Sequence, residues 1–153
     1  MNDIDDTENF ADYVKILMSP TKYNGYEIMA IENRDPSFDE ETASLFQIAA
    51  LEFLFALIEE DVDTLEDICT KGLYSRITSK DENIAKMYYE SFAGAEITRF
   101  KNITPPIISK GVDNEKIISV NILFNTETSS RLVHFGLNFD ENLEVPKVKD
   151  FEM

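Results

Sequence analysis

The sequence predicts an α+β fold in which N-terminal helices pack on one face of a curved antiparallel sheet of about four strands, a cone-like roll. Three observations predict it. A capped and densely apolar segment runs from Ser37 to about Glu60. Two shorter segments of helical period follow it, between Asp61 and Phe92. From Ala95 the apolar period falls to two and stays there to the end of the chain.

Taken in order, Asn9 to Met18 reads as a short helix with Phe10, Val14, Leu17 and Met18 on one face, stopped by Ser19-Pro20. Residues 21–36 read as a loop or short extended stretch, with a turn at Asn24-Gly25 and with Tyr23 and Tyr26 available for packing. Ser37 and Glu40 have capping-box spacing, and Asp39, Glu40 and Glu41 suit the positive end of a helix dipole. Leu45, Phe46, Ala49, Leu51, Phe53, Leu54, Phe55, Leu57 and Ile58 cover more than one helical face, so this helix should be enclosed. A turn at Asp61 leads to a second helix, about Val62 to Thr70, with Leu65, Ile68 and Cys69 inward and Gly72 ending it. Leu73, Tyr74 and Ile77 form a further turn. A third helix, about Asp81 to Phe92, turns Ile84, Ala85, Met87 and Tyr88 inward and closes at Ala93-Gly94.

The strand half begins with Ile97, Arg99, Lys101 and Ile103 on one side of an extended segment and Phe100 on the other. Pro105-Pro106 breaks or bulges it. Ile118, Val120, Ile122 and Phe124 then alternate with Ser119, Asn121 and Leu123. After a turn at Asn125–Ser129, Val133, Phe135, Leu137 and Phe139 alternate with His134, Gly136 and Asn138. Val145 to Phe151 is the closing strand.

The chain has 153 residues, 43% of them apolar, enough for one domain with a single core. One cysteine and one histidine exclude an internal disulfide and do not supply the ligands of a zinc site; no cofactor is expected. The net charge of −16 is unevenly spread: residues 1–67 hold 18 acidic and 3 basic side chains, residues 68–153 hold 12 and 11. Nucleic acid is a poor partner for such a chain, and an anionic membrane should repel its acidic half. The acidic start, with Asp3, Asp5, Asp6, Glu8 and Asp12, is unlike a basic targeting segment, and no presequence is recognised. Ala43 to Ile58 is interrupted by Gln47 and Glu52 and reads as a core helix, not a membrane span.

The candidate sites each have two readings. Phe10, Val14, Leu17 and Met18 could lie on a membrane or pack on the domain or a partner; the polar face lacks the usual Lys and Arg. Glu52, inside the apolar helix, could be a desolvated general base in the cone, or else a helix rim residue or the partner of Arg99 or Arg131 in a salt bridge. His134, if beside Tyr88 or Tyr89, is a second acid–base candidate. Cys69 reads as a small core residue. Arg99, Lys101, Lys110, Lys116 and Arg131 could make one basic sheet face that binds a partner, or could guard exposed strand edges. No phosphate-binding glycine pattern or nucleophilic triad is visible.

Three stretches carry a family resemblance. "RDPSFDEE" (Arg34–Glu41), "ALIEEDVDTLEDICTKGLYSRI" (Ala56–Ile77) and "EITRFKNITPPIISKGVDNEKIISVNILFNT" (Glu96–Thr126) resemble, in order, the C-terminal domain of the 44-kilodalton Tim subunit. That subunit is the import-motor scaffold of the mitochondrial inner-membrane presequence translocase. "RLVHFGLNFDENLEVPKVKDFEM" (Arg131–Met153) is similar to its closing strand pair. The resemblance implies residues 1–33 as an N-terminal extension and 34–153 as the scaffold-like domain, in the nuclear-transport-factor-like or cystatin-like roll. The connection at Thr126–Ser130 is shorter than the family's, and the family's tryptophan is missing.

By that resemblance the chain is expected to be a non-enzymatic adaptor in protein translocation, peripheral on the matrix side of the inner membrane. Its partners would be translocase subunits and the matrix seventy-kilodalton heat-shock chaperone. Two alternatives share the roll: a nuclear-transport-factor-like transport adaptor, and a small isomerase or hydratase using the cone as its pocket. Their interiors should differ, with converging Glu, His and Tyr in an enzyme and a filled apolar core in an adaptor.

Overall fold

The computed structural model describes residues 21–23, 26–28, 38–128, 131–140 and 145–152. The expected helix bearing Phe10, Val14, Leu17 and Met18 lies outside the described residues, as do Asn24, Gly25 and Ser37. The first helix, α1, spans Glu40–Glu59 and is capped by Asp39, whose carboxylate accepts the Thr42 N–H at 2.7 Å. That bond holds the Asp39 carboxyl below its ordinary pKa. The cap is therefore Asp39, not the expected Ser37–Glu40 pair, because the helix begins at Glu40 itself. Glu60 closes α1 in the left-handed region, with φ of 55°.

By length and composition α1 could cross a membrane. Its side chains instead face protein on nearly every side: Ala50, Leu51, Phe53, Leu54 and Leu57 are fully buried.

Asp61 then caps α2 (Val62–Ile68) by accepting from both the N–H and the hydroxyl of Thr64. The chain leaves α2 at Cys69, where extended backbone makes a parallel bridge to Val148. Thr70 donates its N–H to Val148 O at 2.9 Å, and its hydroxyl caps α3 (Lys71–Ile77) through the Leu73 N–H at 3.2 Å. Gly72 thus lies inside α3 and does not end α2; the sheet contact at Cys69–Thr70 is what breaks the helix. Replacing Thr70 by alanine should cost about 1 kcal/mol, the usual value of such a cap. Urea unfolding would show it as a lowered midpoint at unchanged slope.

The last helix, α4, spans Ile84–Phe92 and is capped by Asn83. Ala85 and Phe92 are buried, and Tyr88 and Tyr89 pack on the core. Ile84 and Met87, expected inward, are instead 66% and 56% exposed. At about 3.6 residues per turn, Ala85, Tyr88, Tyr89 and Phe92 share one arc, and it is this arc that meets the core, with Ile84 and Met87 to one side of it.

Helices first and sheet second is the predicted α+β order, and the described helices do pack on one face of an antiparallel sheet. The strands are β3 (Ile97–Ile103), β4 (Ile107–Lys110), β5 (Lys116–Thr126), β6 (Val133–Phe139) and β7 (Val148–Glu152). The pairing order is β3-β5-β6-β7, with β4 also on β5. A small hairpin, β1 (Thr21–Tyr23) with β2 (Tyr26–Ile28), lies beside β3.

Two register shifts in β3 change its pattern: Ile97, Phe100 and Ile103 are all buried, and Arg99 and Lys101 are exposed. The expected grouping of Ile97 and Ile103 with Arg99 and Lys101 is corrected by those irregularities, which turn every third residue inward. β4 is a fifth strand that the Pro105-Pro106 break had concealed. Ile118, Val120, Ile122 and Phe124 of β5 are buried as expected. The last strand begins at Val148, and Val145 is 66% exposed.

Between helices and sheet lies a phenylalanine cluster. Phe135 has ring centroids of Phe53, Phe92, Phe124 and Phe151 at 6.3, 4.9, 6.5 and 5.8 Å. Phe139 meets Phe46 edge-on at 5.1 Å.

Candidate functional site

The space that would serve as the pocket of a cone-shaped enzyme is occupied by these rings and by Leu57, Leu65, Leu73, Val120 and Ile122, all fully buried. Glu52 does not point into it. That residue lies on the exposed side of α1, flanked one turn away by Ile48, Ala49 and Phe55, the least buried residues of the helix core. Partial desolvation there raises its carboxyl above the ordinary range.

His134 is also outside. Its Nε2 hydrogen-bonds with Asn121 Oδ1 at 2.8 Å on the outer face of the sheet, so it is paired with neither Tyr88 nor Tyr89. The neighbouring Ser119 hydroxyl donates to Asn138 Oδ1 at 2.9 Å. Between these pairs, Gly136 leaves room for Asn121, whose Oδ1 would sit 3.1 Å from an added Cβ. The outer face of β5 and β6 is thus a short polar ladder. Glu52 and His134 lie on opposite layers, α1 and the outer sheet face, and form no acid–base pair.

The five basic residues do not share one sheet face: Lys116 has the parity of the buried Ile118–Phe124 set, whereas Arg99 stands opposite Asn125 on the outer face. Lys110 and Lys116 are directly opposed at the start of β5. Arg99 is opposite Asn125, nine residues along that strand and roughly 30 Å away at about 3.3 Å per residue. Lys101 is exposed between them, and Arg131 stands just before β6. Arg99, Lys101 and Lys110 all belong to the outermost strands, β3 and β4, rather than to one compact patch.

Sequence reasoning missed a cleft of about 500 Å³ between α2, α3 and the approach to β7, lined by Glu66, Cys69, Thr70, Lys71, Tyr74, Ser75, Asp140 and Lys147. It arises because the Cys69–Val148 bridge splays the two short helices against the end of the sheet. Only the charged residues near Cys69 could have hinted at it, since Asp140 and Lys147 arrive from far along the chain. Cys69 itself is 2% exposed, and its thiol donates to Leu65 O at 2.8 Å. Burial pushes that thiol up to about 11, with the Lys147 cation pulling against the shift and Glu66 adding to it. Among the described residues, no group of three His, Cys, Asp or Glu is arranged to hold a metal ion.

Comparison with known proteins adds no relative: no family model, no curated protein and no solved structure matches the chain.

Proposed function

We propose that this chain is a non-enzymatic adaptor in protein translocation into a mitochondrion or related organelle. In this reading it is peripheral on the matrix side of the inner membrane and tethers motor components to the translocase. The observation that carries the reading is the filled interior. Aromatic and aliphatic side chains take up the place of an active site, and Glu52 and His134 lie outside it. A binding protein needs only its surface, and this surface is polarised: Asp61, Asp63, Glu66 and Asp67 are exposed on α2, with lysines on the opposite sheet edge. Complementary fields of that kind orient a protein on its partners. The segments resembling the import scaffold, Ala56–Ile77 and Glu96–Thr126, correspond to the end of α1 with α2–α3, and to β3–β5.

Holding two components on one rigid body raises their local concentration and requires no chemistry of its own. The test is capture of a tagged copy under mild crosslinking from its native source. Enrichment of inner-membrane translocase subunits or of the matrix chaperone is the expected result. Recovery of nuclear-pore or export factors would replace it with the transport-adaptor reading, built on the same nuclear-transport-factor-like roll.

A further inference from the structure

The two edges of the five-stranded sheet are finished differently. At β7 the edge is closed by specific bonds. The Thr70 N–H reaches Val148 O at 2.9 Å, Arg76 Nη2 reaches Lys149 O at 3.0 Å, and Asp150 Oδ1 takes the Phe151 N–H at 3.0 Å. At the opposite edge the β1–β2 hairpin lies beside β3. Beyond the Thr104–Pro106 interruption, β4 pairs only with β5 among the described residues.

The register of that pair says which backbone groups are open. Gly111 N–H donates to Glu115 O at 2.7 Å across the turn, and Lys110 opposes Lys116. Alternation of an antiparallel ladder then makes Ser109–Ile117 and Ile107–Ser119 the bonded pairs, and turns the N–H and C=O of Ile108 and Lys110 away from β5. The side chains around this open rim are accessible. Ile107 is 46% exposed, Ser109 and Lys110 are exposed, and Val112 at the turn is 82% exposed.

We propose that the β4 edge is a strand-addition site for an extended acidic segment of a partner protein. Backbone pairing to Ile108 and Lys110 would supply register, and the side chains would choose the partner. Lys110 and Lys116 sit together at the rim, with Lys101 further along the same edge, in a chain whose net charge is −16. A second copy of this chain is the weaker occupant, because antiparallel pairing of β4 with itself through Ile108 and Lys110 sets each Lys110 against Ile108 and supplies no carboxylate to either lysine. A partner strand with carboxylates beside Lys110 and apolar residues beside Ile107 and Ile108 meets both demands. The competing role of such lysines is to repel edge pairing altogether.

This inference does not depend on the import reading, since purified protein and a synthetic peptide test it. The probe is a short peptide containing Glu-Thr-Val-Val, which in antiparallel register sets its glutamate beside Lys110 and its valines beside Ile108 and Ile107, followed by amide NMR and hydrogen exchange. Expected are shifted resonances and slowed exchange at Ile108 and Lys110. The same peptide N-methylated on its pairing amides should not bind. The Lys110→Glu, Lys116→Glu variant should lose at least about tenfold in affinity while its spectrum elsewhere stays native. Perturbation only outside β4, or equal binding of the N-methylated peptide, would overturn the proposal. So would a variant that self-associates with peptide affinity unchanged, which would assign the lysines to edge protection.

Discussion

Replacing Phe135 by alanine should cost about 3–5 kcal/mol of folding free energy, the largest loss available from a single truncation in this core. Phe135 is fully buried at the middle of β6, and its ring lies within 6.5 Å, centroid to centroid, of Phe53 on α1, Phe92 on α4, Phe124 on β5 and Phe151 on β7. One ring therefore touches both layers and both neighbouring strands. Its removal loses the transfer energy of the ring and opens a void bounded by other rigid rings, which cannot collapse far to fill it. Edge-on and stacked geometry adds about 0.5–1.5 kcal/mol per aromatic pair beyond the buried area. Against a total stability of about 5–15 kcal/mol, the variant should lie near or past the edge of folding at body temperature. Chemical denaturation measures this directly. A loss below about 1 kcal/mol would mean that the cluster is loosely packed and that the interior has space for a ligand.

That outcome matters for function because the adaptor proposal rests on the packed interior. The sequence made the interior's membership largely legible. The alternation of Ile118 to Phe124 and of Phe135 to Phe139 survives intact in β5 and β6, where neighbouring strands on both sides enforce a period of two. The all-round apolarity of α1 likewise foretold its enclosure.

Reading failed at edges and junctions. β3 has two register shifts that no residue pattern announces, so Phe100 joins Ile97 and Ile103. β4 has only four residues after a double proline and looks like loop in isolation. Ile84 and Met87 flank the buried arc of a helix of only nine residues, where several apolar arcs overlap and the pattern does not choose between them. Among the candidate sites, Arg99, Lys101, Lys110 and Lys116 lie in strands as expected and Arg131 just before one, but their grouping depends on strand order. Strand order places Lys110 against Lys116 and Arg99 far from both. The cleft near Cys69 depends on a bridge between residues remote in the chain, which periodicity cannot express.

Cys69 gives the second large effect, one that reads the same junction chemically. Its thiol is held up at about 11, against 9.0 for an ordinary cysteine, chiefly by burial. Alkylation requires the thiolate, so at pH 8 the reactive fraction should be roughly a hundredfold below that of an exposed thiol. The bond to Leu65 O and the 2% exposure slow access further. Native protein should therefore react with iodoacetamide at least about a hundred times more slowly than denatured protein at the same pH. The sign of the linked stability follows. Between about 9 and about 11 the unfolded thiol loses its proton while the folded one keeps it, so stability falls as pH rises through that window. Rapid labelling of native protein would show that α2 and β7 separate readily at the Cys69–Val148 bridge, exposing the floor of the cleft. Slow labelling that tracks global unfolding would make Cys69 a core residue and the bridge a permanent hinge between helices and sheet.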